Sequence, residues 1–130
     1  MRRIIAAALG AALLATAPAV AKPRLSPEAE LADAVKGRVA GAPVSCINLT
    51  NVRNVQIIDR TALVYDAGGV KYVNRPRGGA EQLDHWDVLV TRLPNNRLCR
   101  PDIVRLYDSA SRFETGFISL GDFVPYRRPR

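Results

Sequence analysis

The chain opens on an unbroken apolar stretch and only later settles into alternating patterns. Ile4 to Leu14 carries no charge and is rich in Ala and Leu. Ser26-Pro27-Glu28 then has the order of a helix start. Ser26 can cap the free amides, Pro27 suits the first helical position, and Glu28 and Glu30 complement the positive helix end. Leu31 and Val35 lie one turn apart and give this short helix a thin apolar stripe, with Gly37 as its stop.

From Val44 the pattern changes to that of β-structure. Val44 to Leu49 and Val52 to Ile58 are expected strands; Val55 and Ile57 face one way and Ile58 breaks the alternation. Ala62 to Tyr65 and Val70 to Val73 flank Asp66-Ala67-Gly68-Gly69, a hairpin signal because glycine accepts positive φ. Residues 74 to 82 read as a loop. Trp86 to Leu93 is an expected strand with Trp86, Val88 and Val90 on one face, followed by a turn at Pro94-Asn95-Asn96. Ile103 to Tyr107 follows Pro101, and Phe117 to Leu120 and Phe123 to Tyr126 surround a tight turn at Gly121-Asp122. Six to seven short strands after one short N-terminal helix predict a mainly β fold, a small antiparallel barrel or sandwich.

The opening stretch has the three parts of a cleavable signal peptide. Arg2 and Arg3 supply the positive start, the apolar run follows, and Ala19-Val20-Ala21 supplies the small-x-small cleavage site. A membrane anchor would need about 20 predominantly apolar residues, more than the run offers. Lys22, not Cys, follows the cut, which argues against a lipid anchor. The expected organisation is a signal peptide at 1–21, a linker and short helix at 22–43, a β domain at 44–126 and a basic tail at 127–130. The expected location is periplasmic or secreted, with no membrane span after cleavage.

Export changes the meaning of the charge. Removing the first 21 of 130 residues leaves 109, one small domain. The formal charge of +7 is carried by Arg2, Arg3, Lys22, Arg24, Arg127, Arg128 and Arg130, all near the ends. Residues 25 to 126 balance 12 basic with 12 acidic side chains. A nucleic-acid-binding domain concentrates basic residues on its folded body, so nucleic acid is not an expected partner. Tyr126, Arg127, Arg128 and Arg130 could instead touch an anionic envelope polymer or lipid surface by charge attraction, or form a frayed, solubilising end.

Cys46 and Cys99 are the only cysteines. In an oxidising compartment they predict a disulfide, and they lack the CxxC spacing of a redox or zinc motif. Closing a loop of about 54 residues is worth roughly 4 kcal/mol in the chain-entropy treatment.

The order of short motifs carries a family resemblance. Cys46-Ile47, Val55-Gln56-Ile57-Ile58-Asp59, Gly68-Gly69 with Tyr72-Val73-Asn74, Leu98-Cys99, Asp102-Ile103-Val104 and Leu120-Gly121-Asp122-Phe123-Val124-Pro125 follow one another. From about Cys46 to Tyr126 the chain resembles the DUF6491 family of small exported bacterial proteins of unknown function. Members often carry a further cysteine near the position of Arg77 and another before the Leu-Gly-x-Phe motif. Gly78 or its neighbours and Ile118 stand there instead. The resemblance thus implies loss of one disulfide, with Cys46–Cys99 retained. It implies no activity or catalytic residue.

Candidate chemistry is sparse. His85, in Asp84-His85-Trp86-Asp87, is the single histidine. On a strand His85 and Asp87 would share one face, so Asp84, His85 and Asp87 form a weak polar candidate site. A metal centre needs three or four convergent ligands, and none is expected. Ser109, Ser111 and Ser119 lack a nucleophile-elbow context. Asp59, Asp66, Asp84, Asp87 and Asp102 are numerous enough for a carboxylate pair, yet turns also favour Asp. Gly68-Gly69 and Gly78-Gly79 open no helix and precede no Lys-Ser/Thr, so they are turns and not phosphate loops. Most of Tyr65, Tyr72, Trp86, Tyr107, Phe117 and Phe123 are expected in the core, with Tyr126 near the surface. No catalytic residue and no cofactor are expected. The composition fits a non-enzymatic binding or accessory module whose partner is an envelope protein or an anionic polymer. A small envelope hydrolase using His85 and nearby carboxylates, and an attachment protein acting through the Arg tail, are the alternatives.

Overall fold

The computed structural model describes residues 10–130. Arg2, Arg3 and the first half of the apolar run lie outside the described residues. Residues 10–25 carry no helix or strand and are exposed. Among the described residues no helix is long and apolar enough to cross a membrane.

Helix α1 (Pro27–Ala34) begins as its sequence dictates: Ser26 Oγ accepts the Ala29 amide at 3.3 Å, and Pro27 is the first helical residue. Eight residues cannot hold a helix alone in water. Leu31 is buried, and the Lys71 ammonium donates to the Ala34 carbonyl at 2.8 Å, satisfying one of the last free acceptors.

Ten strands follow, all paired antiparallel: β1 (Val39–Ala40), β2 (Cys46–Asn48), β3 (Asn54–Ile58), β4 (Ala62–Asp66), β5 (Val70–Asn74), β6 (Asp87–Val90), β7 (Arg97–Cys99), β8 (Ile103–Asp108), β9 (Glu114–Ser119) and β10 (Phe123–Arg127). They form a five-stranded sheet ordered β1-β10-β5-β4-β3, a two-stranded sheet β2-β7 and a three-stranded sheet β6-β8-β9. The fold is mainly β and sandwich-like, with no closed barrel. More strands are present than six or seven because β1 and β7 are only two and three residues long, too short to register as alternation.

The five-stranded sheet is covered on both faces. Leu31, Ile58, Ala62, Val64 and Val73 pack under α1, joined by Tyr126. Leu63, Tyr65 and Phe123 face the other way and meet Ile47, Leu98, Val104, Leu106 and Ile118 from the smaller sheets. Period-two geometry explains the split: neighbours such as Leu63 and Val64 serve opposite cores. It also explains Ile58, whose break in the pattern is a side chain turned to the second core. Cys46 and Cys99 are register partners in β2–β7 and are disulfide-bonded.

Several boundaries differ from expectation, among them β6, which spans Asp87–Val90 rather than Trp86 to Leu93. Val39–Ala40, inside the expected linker, pairs with Tyr126 and Arg127. Arg127 therefore belongs to β10 rather than to a tail. The turn at Gly121-Asp122 joins no hairpin, because β9 and β10 lie in different sheets. Each strand finds a better-matched neighbour: Ile103 to Leu106 for β9, and Val70 to Asn74 for β10.

Candidate functional site

His85 does not lie on a strand. It sits in the turn before β6, where the Asp87 amide donates to the Asp84 carbonyl. Period two therefore does not apply to it, and His85 and Asp87 do not converge. The His85 ring instead meets Asp59, from the β3–β4 turn, with Nδ1 3.0 Å from both carboxylate oxygens. The His85 amide also donates to Asp59 Oδ1 at 2.7 Å, so one carboxylate holds both backbone and ring. Asp84 Oδ1 lies 3.6 Å from Nδ1 and accepts the Trp86 amide. Asp87 turns away: its carboxylate accepts from the Asp84 amide and from Thr115 Oγ1. Burial raises the Asp87 carboxyl above the ordinary range, partly opposed by these hydrogen bonds. The candidate triad of Asp84, His85 and Asp87 is thus corrected to Asp59, Asp84 and His85.

Asp59, Asp84 and His85 offer three ligand atoms within 4.8 Å of one another, so they are the residues that could hold a metal. A closed zinc site takes four protein ligands. Each carboxylate here already accepts a turn amide, which accounts for the arrangement without an ion. Asp59 and His85 also line a cleft of about 450 Å³ with Arg24, Leu25, Pro27, Glu30 and Arg60. An Asp carboxylate on Nδ1 fixes the imidazole so that Nε2 can act as a base.

The outer face of β6-β8-β9 departs further from expectation. Trp86 is 65% exposed, Phe117 55% and Phe113 76%, and Val88, Val90 and Ile103 are also exposed. Val90, Arg105 and Phe117 lie in one cross-strand row, with Val88 beside Tyr107 in the next. Alternation placed Val88 and Val90 on one side correctly but did not say which side is inward, and Trp86 sits in the turn before β6 with its ring centroid 4.6 Å from that of His85. Leu106, Val104 and Ile118, with Leu89, take the interior. Beside this face lies a hollow of about 380 Å³ lined by Val90, Arg92, Asp102, Ile103, Arg105 and Tyr107. Sheet order also leaves β6 an open edge, since β8 is its single neighbour.

Of the basic C-terminal group, Arg127 and Arg128 line a surface depression while Tyr126 packs on the α1 side of the sheet. Tyr126 is half-buried and not with its arginine neighbours, because successive strand residues point to opposite faces. Arg130 is exposed at the end of the chain and lines no hollow among those described. Sequence reasoning missed the pairing of Asp59 with His85, since 26 residues separate them. Compared with protein-family models, curated proteins and solved structures, the chain matches none.

Proposed function

We propose that this chain is an exported, non-enzymatic binding module that takes an extended segment of a partner protein on β6 and the adjoining face of β6-β8-β9. The carrying observation is that Val88, Val90, Ile103 and Phe117 are exposed on the outer face of β6-β8-β9, with Trp86 exposed in the turn before β6. Large apolar patches on a small protein mark interaction sites. The open β6 edge presents backbone donors and acceptors to an added strand, with alternate side chains reading the face. Arg92 at the hollow favours an acidic residue in that strand. Export is supported by the charged start, apolar run and small-residue site of 1–21, and by the Cys46–Cys99 bond. Membership of the DUF6491 family is part of the same reading. Gly78 and Ser119 form a bridge, so the neighbourhoods where that family carries its further cysteines adjoin here.

Photo-crosslinking residues placed at Val90, at Phe117 and, as a control, at exposed Asp33 on α1 test the reading in intact cells. Crosslinks to one protein from Val90 and Phe117 but not from Asp33, lost with Val88→Lys, are expected. Equal crosslinking from Asp33, or none from the sheet face, would overturn it. Crosslinks only to a second copy would replace the partner with self-association.

The Asp59–His85 pair at its cleft favours a second reading, a small hydrolase. Turnover of an ester, peptide or glycoside substrate that disappears with His85→Ala supports it. Turnover unchanged by that substitution, or absent throughout, removes it.

A further inference from the structure

Three arginines of the body are each neutralised by a carboxylate partner. Arg75 pairs with Glu28, Arg100 with Asp122 and Arg105 with Glu114. One place instead gathers several arginines that have no such partner. Arg38, Arg53, Arg127 and Arg128 line a single depression of about 670 Å³, with Asp66 as its one acidic residue. Among the described residues none of these four arginines makes a side-chain ion pair.

The fold assembles them from three separate stretches of chain. Arg38 precedes β1, Arg53 precedes β3, Arg127 ends β10 and Arg128 follows it. Arg38 is held in place: Nη1 donates to the Gly69 carbonyl at 2.9 Å and to the Tyr126 carbonyl at 3.4 Å. The Arg53 amide donates to the Asp66 carbonyl at 2.8 Å, fixing that backbone against the end of β4. The Gly68-Gly69 turn forms part of the wall, and a Cβ at either position would meet nothing within 4 Å. A ligand can therefore come close to the backbone there. Four guanidinium groups against one carboxylate leave a strongly positive hollow, at a point where the rest of the body is balanced.

We propose that this depression is a binding site for a phosphate-bearing anion. Guanidinium forks match phosphate oxygens in bidentate geometry, and several such groups around one hollow suit a multiply charged ligand. Free phosphates and phospholipid headgroups share this chemistry. The site differs from a loose basic tail, because it needs Arg53 from the middle of the chain and does not need Arg130. It is independent of the docking face on β6-β8-β9.

The test uses the full oxidised protein with two probes: pyrophosphate by calorimetry, and phosphatidylglycerol vesicles by co-sedimentation, each at low and high salt. Salt-sensitive binding is expected. Arg53→Gln and Arg128→Gln should each weaken it about tenfold or more, as loss of a charge-assisted contact does. Arg130→Gln and Arg97→Gln, which remove the same charge outside the depression, should leave it unchanged. Binding to pyrophosphate identifies a soluble phosphate as sufficient, and binding to vesicles alone identifies the headgroup. Absence of binding to both probes would overturn the site. So would equal weakening by all four substitutions, which is the signature of general charge attraction.

Discussion

Asn74 brackets Gly121: its side-chain Nδ2 donates to the Gly121 carbonyl at 2.8 Å while its Oδ1 accepts the Gly121 amide at 3.0 Å. Among the described residues Asn74 is the one polar residue with a fully buried side chain. The bracket ties the end of β5 to the crossing between β9 and β10, where the chain passes from one sheet to another. A buried amide with both ends satisfied stabilises, whereas removing it strands two backbone groups. Asn74→Ala should lower unfolding free energy by about 2–4 kcal/mol in urea titration. Asn74→Asp should cost more, because it sets an acceptor against the Gly121 carbonyl and buries a charge. A loss under about 1 kcal/mol for both would show that the bracket carries little.

Local patterns made much of this fold legible. Ser26-Pro27 gave the helix start, Gly68-Gly69 the hairpin, and two cysteines in a chain with the pattern of an export signal the disulfide. Asn74 was not legible, because its role depends on Gly121, 47 residues away. The same holds for the candidate sites. Asp59 and His85 meet only once β3 and β4 form their turn. Phe117 lies on a strand as expected and Trp86 in the turn just before β6, yet only the packing of sheet against sheet decides which face water keeps.

The Cys46–Cys99 bond joins register partners across β2–β7, separated by 53 residues in sequence. That two-stranded sheet pairs over only three residues, so the bond restricts the unfolded chain and fixes a short pairing together. Replacing both cysteines by serine should cost about 2–5 kcal/mol. Thiol titration of the unfolded protein should find two groups after reduction and none before. Two reactive thiols without reduction would contradict the bond.

Tyr65 gives a pH dependence. Its ring is buried against Phe123, with centroids 5.8 Å apart, and burial pushes its phenol well above the usual value. In the unfolded chain a phenol ionises near 10. Above about that pH the unfolded state releases a proton that the folded state keeps, so stability falls as pH rises. At neutral pH both states hold the proton and nothing is lost. Tyr65→Phe removes the titrating group and leaves the ring. Its unfolding midpoint should decline less than the parent's between neutral pH and about pH 11. Parallel declines would assign alkaline loss to other groups.

Two glycines with positive φ separate backbone strain from steric contact. Gly68 has φ +67° and open space where a Cβ would stand. Gly79 has φ +80°, and a Cβ there would run into the Phe117 carbonyl and crowd the Ile118 Cα. Its position matters because the adjoining Gly78–Ser119 bridge ties the chain before β6 to β9. Alanine at either site pays the left-handed penalty of roughly 1–2 kcal/mol. Only at Gly79 must backbone also move, and a carbonyl in a paired strand moves less readily than a side-chain end. Gly79→Ala should therefore destabilise by clearly more than Gly68→Ala in the same urea titration. It should also shift amide resonances along β9, from Thr115 to Ser119. Equal losses with β9 undisturbed would mean that φ alone requires glycine at both places.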